Sequence, residues 1–208
     1  MGVVEYLGDP MIKILFSLII AAAGQAYAFD LPATDVSAVK TIVMDAPAVP
    51  AAKPASQHVW MSVTNNPAFK EAQASDWANR IEARVRGNGA DRYDVNLRTD
   101  AGYTWGSITK YGSSYNFFGS GMNLYMSGGN GSHFINGNFM ENGKSYFVSV
   151  NLSGMDAFSG NAYGNGLNLF ISRGSINGWF EEERLPKKAI AAIASFILAL
   201  QIEAAPAK

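Results

Sequence analysis

The chain has 208 residues, with 16 Lys and Arg set against 17 Asp and Glu, a net charge of −1 and no cysteine. That balance excludes the basic excess by which a protein neutralises a nucleic-acid backbone, so no nucleic-acid partner is expected. The lack of cysteine excludes disulfides, thiolate catalysis and thiolate metal centres, and a domain of about 150 residues must then hold together by burial alone.

At the amino terminus Lys13 precedes the uncharged run Ile14 to Ala23, and GQAYA follows with Ala26 and Ala28 framing Tyr27. A charged residue, an apolar run and a small-x-small ending describe a secretory signal peptide, so residues 1–28 are expected to direct export to the periplasm or beyond. Glu5 and Asp9 do not suit a positive leader, which makes Met11 the expected start. The apolar run is shorter than the roughly 20 residues of a membrane-spanning helix. Without residues 1–28 the chain loses Lys13, Glu5 and Asp9 and has zero net charge, and it is expected to have no transmembrane span. Residues 29–56, rich in Ala and Pro with Pro32, Pro47, Pro50 and Pro54, read as a linker. Residues 57–208 read as a single β domain with a carboxy-terminal helix over 187–203.

A short strand is expected at 58–64, with a turn at Asn65-Asn66-Pro67. Residues 75–86 (SDWANRIEARVR) fit two periods. As a helix they have Ser75 as N-cap, with Trp77, Ile81 and Val85 on one stripe. As a strand from Asn79 onward, Ile81, Ala83 and Val85 oppose Arg80, Glu82, Arg84 and Arg86, and GNGAD then leads into a matching strand with Tyr93, Val95 and Leu97. The hairpin favours the strand, leaving the first few residues open to a helical turn.

Strands follow near 92–98, 103–110, 114–119, 121–127, 133–140, 145–152, 157–163, 166–172 and 175–182, separated by Gly-rich turns. Sixteen of the 21 glycines lie between Gly102 and Gly178, some inside strands, where they permit the bends that closure needs. The fold class is therefore all-β, an antiparallel meander closing into a barrel or sandwich, with the carboxy-terminal helix packed on or into it.

An internal repeat supports this reading: GMNLYMS at 121–127 returns as GLNLFIS at 166–172, and FINGNFME at 134–141 returns as SINGWFEE at 175–182. Two copies suit a duplicated hairpin within one sheet and are too few for a solenoid. Period-2 geometry sends Met122, Leu124, Met126, Leu167, Leu169 and Ile171 to the core with Ile135, Phe139, Ile176 and Phe180. The opposite face collects Asn123, Tyr125, Asn136, Asn138, Asn168, Phe170, Asn177 and Trp179. Residues 111–140 contain no Asp, Glu, Lys or Arg, although soluble sheets ordinarily charge their wet face. Asn offers donors and acceptors without charge, and aromatic rings offer flat apolar area, a combination suited to a neutral polar ligand such as a glycan. Aromatic residues on an outer face also stabilise a sheet through cross-strand pairs.

Pro186 opens the run AIAAIASFILALQIE, in which Ile190, Ile193, Ile197 and Leu200 form a stripe widened by Phe196 and Leu198. The expectation is a helix packed across the sheet or plugging one barrel end, with peripheral membrane contact by this helix as an alternative.

Catalytic constellations are scarce. His133 is expected to be exposed in a turn, and no metal-ligating set accompanies it. Glu141 and Glu182 hold equivalent repeat positions and could run glycoside hydrolysis if suitably spaced, yet both fall at strand ends where solvated charge is usual. No G-x-S-x-G element, P-loop or H-E-x-x-H occurs, and no cofactor is implied. The sequence thus predicts an exported, non-catalytic binding or structural domain. An internal apolar pocket for a small ligand is its alternative, and a glycan hydrolase a remote one.

Overall fold

A computed structural model describes residues 56–156 and 158–205. The expected signal peptide and nearly all of the expected linker lie outside the described residues. The strands are β1 (Ser56–Asn66), β2 (Glu71–Asp76), β3 (Ile81–Gly87), β4 (Arg92–Thr99), β5 (Gly102–Tyr111), β6 (Ser114–Gly119), β7 (Met122–Gly129), β8 (Ser132–Glu141), β9 (Lys144–Asp156), β10 (Ser159–Gly164), β11 (Leu167–Ser172) and β12 (Ser175–Glu181). Each pairs antiparallel with its neighbour in sequence, and β1 pairs with β12, so the sheet is a closed barrel. Among the described strands, closure leaves no edge open to another chain.

Turn chemistry accounts for the tight meander. Ser120-Gly121, Asn130-Gly131, Asn142-Gly143 and Asn165-Gly166 each place two successive residues at positive φ, at 46° and 80°, 53° and 81°, 51° and 75°, and 52° and 78°. Those are the dihedrals of the two-residue I′ turn, whose twist matches that of the strands it joins.

Two local readings are corrected. Residues 71–76 form β2, where no strand is expected from sequence, and Ser75 sits inside it instead of capping a helix. The chain then turns through 77–80 before β3 begins at Ile81, two residues later than the alternation suggests. β2 is hard to read because its core-facing residues are only Ala72, Ala74 and Asp76. Asp76 serves the structure here, for its carboxylate accepts the backbone N–H of Trp60 at 2.8 Å and the backbone and side-chain N–H groups of Asn79 at 3.0 and 2.8 Å. The β1–β2 ladder begins only at Ser62 opposite Ser75, so Asp76 prolongs the seam where the main chain does not. Burial would raise this carboxyl, but the donors on Asn79, Trp60 and Ala78 outweigh it and hold it below the usual carboxylate range.

Inward positions make one apolar core, with Phe117, Phe139, Phe180, Met61 and Leu124 fully buried among others. The helix α1 (Lys187–Ala204) runs into this core, and every residue from Ala189 to Ala199 is buried. Eleven consecutive buried residues cover all faces of a helix with 3.6 residues per turn, so the barrel surrounds it. The helix lies nearest β3, β4 and β2, where Ala72, Ala74 and Ala83 leave room, while larger side chains such as Phe117 reach it from across the lumen. Ser195, buried in this setting, returns its hydroxyl to the carbonyl of Ala192 at 2.7 Å. The expected packing of this helix into the barrel is what the structure shows, and the alternative of peripheral membrane contact is left without an apolar face over Ala189 to Ala199, which is spent on the barrel wall. No helix among the described residues is long and apolar enough to cross a membrane.

Candidate binding face

The barrel wall has two unlike sides. On β2 to β4 most outward positions are charged, with Glu71 opposite Arg86 and Glu82 opposite Arg98 in register and Arg84 paired with Glu71 at 2.8 Å. From β6 to β12 the outward positions between the strand ends are Asn, Ser, Phe, Tyr, Trp and Met. Apolar lumen and Asn-rich exterior reverse the polarity of a membrane-spanning barrel, which faces lipid with an apolar band and water with its interior.

All eight residues proposed for a site lie on this outer wall, and the repeat pairs them identically. Asn123 faces Asn138 and Tyr125 faces Asn136 across β7 and β8, while Asn168 faces Trp179 and Phe170 faces Asn177 across β11 and β12. The ten residues expected in the core are all buried. The two quartets do not touch directly, since β9 and β10 lie between them and neighbouring strands are about 4.8 Å apart.

Residues that the sequence reading passed over join them. Register places Phe134 opposite Asn151, Asn151 opposite Tyr163, Tyr163 opposite Asn168, and Asn168 opposite Trp179, an alternating row across five strands. A second row runs Asn161, Phe170, Asn177 and Trp60. Phe170 and Tyr163 are 55% and 47% exposed, so ring faces are open to solvent. The signal for these extra members lay in the strands between the repeat blocks, where Asn151, Asn161 and Tyr163 continue the same outward parity.

The quartets differ in commitment. On β7 the hydroxyl of Tyr125 donates to Ser114 Oγ at 2.7 Å, an internal cross-strand bond. On β8, β11 and β12 the side-chain amides of Asn136, Asn138 and Asn168 have no protein hydrogen bond among the described residues, and Asn177 reaches only Ser175 Oγ at 3.4 Å. Unengaged amides thus remain on both sides of the wall, Asn136 and Asn138 on β8 and Asn168 on β11.

The interior is filled, and the titratable residues considered from the sequence are engaged elsewhere. The Met, Leu and Phe side chains that would line an internal ligand pocket pack around the helix, as with Phe117 and Phe196 at a ring separation of 6.3 Å. His133 is corrected from an exposed turn residue to a half-buried one on β8 opposite Leu152, with burial pushing its imidazole below the usual value. Glu141 ends β8, where burial raises its carboxyl against the opposing pull of Lys188, and Glu182 accepts a hydrogen bond from Gln57 Nε2. Compared with protein-family models, curated proteins and solved structures, the chain matches none of them.

Proposed function

We propose that this is an exported, non-catalytic binding domain whose uncharged wall recognises a neutral polyhydroxylated ligand, such as an envelope glycan. The observation that carries the reading is the unbroken row Phe134, Asn151, Tyr163, Asn168 and Trp179, in which ring faces alternate with amides across five strands. Sugar rings present apolar C–H faces and a fringe of hydroxyls; the first suit aromatic rings, and the second suit amides that both donate and accept. Ionic steering is absent from such a surface, so binding would vary little with salt. Export rests on the amino-terminal pattern of Lys13, the apolar run and Ala26-Tyr27-Ala28.

An array of neutral oligosaccharides screened with the mature protein tests this reading. Binding that survives added salt and weakens in Tyr163→Ala or Asn168→Ala supports it. No binding across the array removes it.

A further inference from the structure

A second site lies away from the neutral wall, at the barrel rim between the β2–β3 turn and the β4–β5 turn. It is a pocket of about 510 Å³ lined by Asp76, Trp77, Arg80, Glu82, Arg98 and Tyr103, among others. That volume is within the range of small-molecule sites.

Its charges are unevenly committed. The Asp76 carboxylate is held by the N–H groups at the barrel seam, and Asp100 pairs with Lys187 Nζ at 2.8 Å. Arg80 and Arg98 form no ion pair with any described carboxylate, although Glu82 stands directly across the ladder from Arg98. The Arg98 guanidinium lies over the Tyr103 ring, 5.3 Å from its centre, which fixes the plane of its fork and leaves N–H edges free. Arg80 takes a left-handed backbone, φ 55°, directly after Asn79, which is clamped on Asp76, so its side chain departs from an immobilised turn. Trp77 on the same turn is 76% exposed and Tyr103 is 69% exposed, so both rings are accessible at the pocket.

We propose that this rim pocket binds a small carboxylate-bearing ring compound, with the carboxylate taken by the Arg80 and Arg98 guanidiniums and the ring by Trp77 and Tyr103. Planar guanidinium forks match a carboxylate in two-point geometry, and indole and phenol faces accept a flat apolar ring. Acidic sugars and aromatic carboxylates share that chemistry, and both are small enough for the pocket.

The test titrates the mature protein with glucuronate, with benzoate and with uncharged glucose, following the Trp77 indole and the Arg80 and Arg98 amides by heteronuclear NMR. Saturable shifts at these groups with glucuronate, benzoate or both, and none with glucose, support the site and identify its class. Arg98→Ala and Trp77→Ala should each weaken that binding at least about tenfold while retaining the wild-type melt, as exposed positions allow. Arg98→Lys, which keeps the charge and loses the fork, should also weaken it. Trp179→Ser on the neutral wall should leave it unchanged, so the two sites fail or stand separately. No saturable shift with either carboxylate, or binding indifferent to both alanine variants, overturns the proposal.

Discussion

Tyr93 on β4 donates its hydroxyl to Glu203 Oε1 at 2.6 Å, tying the last turn of the enclosed helix to the wall around it. Tyr115 and Lys110 complete the clasp on Oε2 at 2.7 and 2.6 Å. A carboxylate near a helix carboxy terminus opposes the helix dipole, so these three donors compensate an unfavourable position. Burial alone would raise the Glu203 carboxyl, but the bonds from Lys110, Tyr93 and Tyr115 prevail and lower it. Burial and the adjoining Glu203 push both tyrosine hydroxyls well above their ordinary value.

At neutral pH, Glu203→Gln should therefore cost about 2 kcal/mol, the scale of hydrogen bonds to a charged group. Because the folded carboxyl is depressed, its contribution is complete above the ordinary Glu value of about 4.3 and disappears as pH falls through the lower folded value. Melting curves of the two proteins should converge in acid. The tyrosines act at the other end: their raised values give stability that is complete below about pH 10 and is lost as pH climbs past it.

A Cβ on Gly178 would collide with the backbone oxygen of Asn168, and one on Gly137 with that of Asn123, the equivalent position in the other repeat copy. Both glycines also hold positive φ, 155° and 146°. Gly178→Ala and Gly137→Ala should each lose about 3 kcal/mol through strain and crowding in a packed wall. Gly174→Ala, with open space around it, should stay within about 0.5 kcal/mol in the same denaturant titration.

Ile193 and Ile197 are fully buried between helix and barrel. Ile193→Asp or Ile197→Asp should lower stability by more than about 4 kcal/mol, since each buries an unpaired carboxyl in the core. Variants that melt like the wild type would mean that the helix does not occupy the lumen.

Asp76→Ala should weaken the barrel seam by about 1 to 3 kcal/mol, because the Trp60 N–H loses its acceptor. Hydrogen exchange should quicken first in β1, with the β6–β9 amides little changed.

The meander was legible because two codes coincide in it: period-2 alternation along the strands and Asn-Gly or Ser-Gly at the turns. The repeat was legible too, and its glycines prove to be equivalent in space as well as in sequence. β2 was not, since helix proximity selects Ala72 and Ala74 there and erases the contrast that period-2 reading depends on. The helix was legible, and of the two placements expected for it the barrel interior holds; its Ile stripe alone fits either placement, whereas the absence of charge from Ala189 to Leu200 on every face points to enclosure. Among the wall residues, the repeat drew attention to its own two hairpins and away from Asn151, Asn161 and Tyr163, which only strand order could place between them.

The most direct measurement of the recognition account is calorimetric titration of the mature protein with a neutral oligosaccharide, paired with melts of Trp179→Ser and Tyr125→Ser. The account predicts saturable binding by the wild type, at least about tenfold weaker binding by Trp179→Ser with its melting temperature nearly unchanged, and a smaller binding loss in Tyr125→Ser, whose hydroxyl already serves Ser114. No binding by the wild type, together with a large stability loss in both variants, would contradict it and leave the Asn and aromatic rows as cross-strand packing.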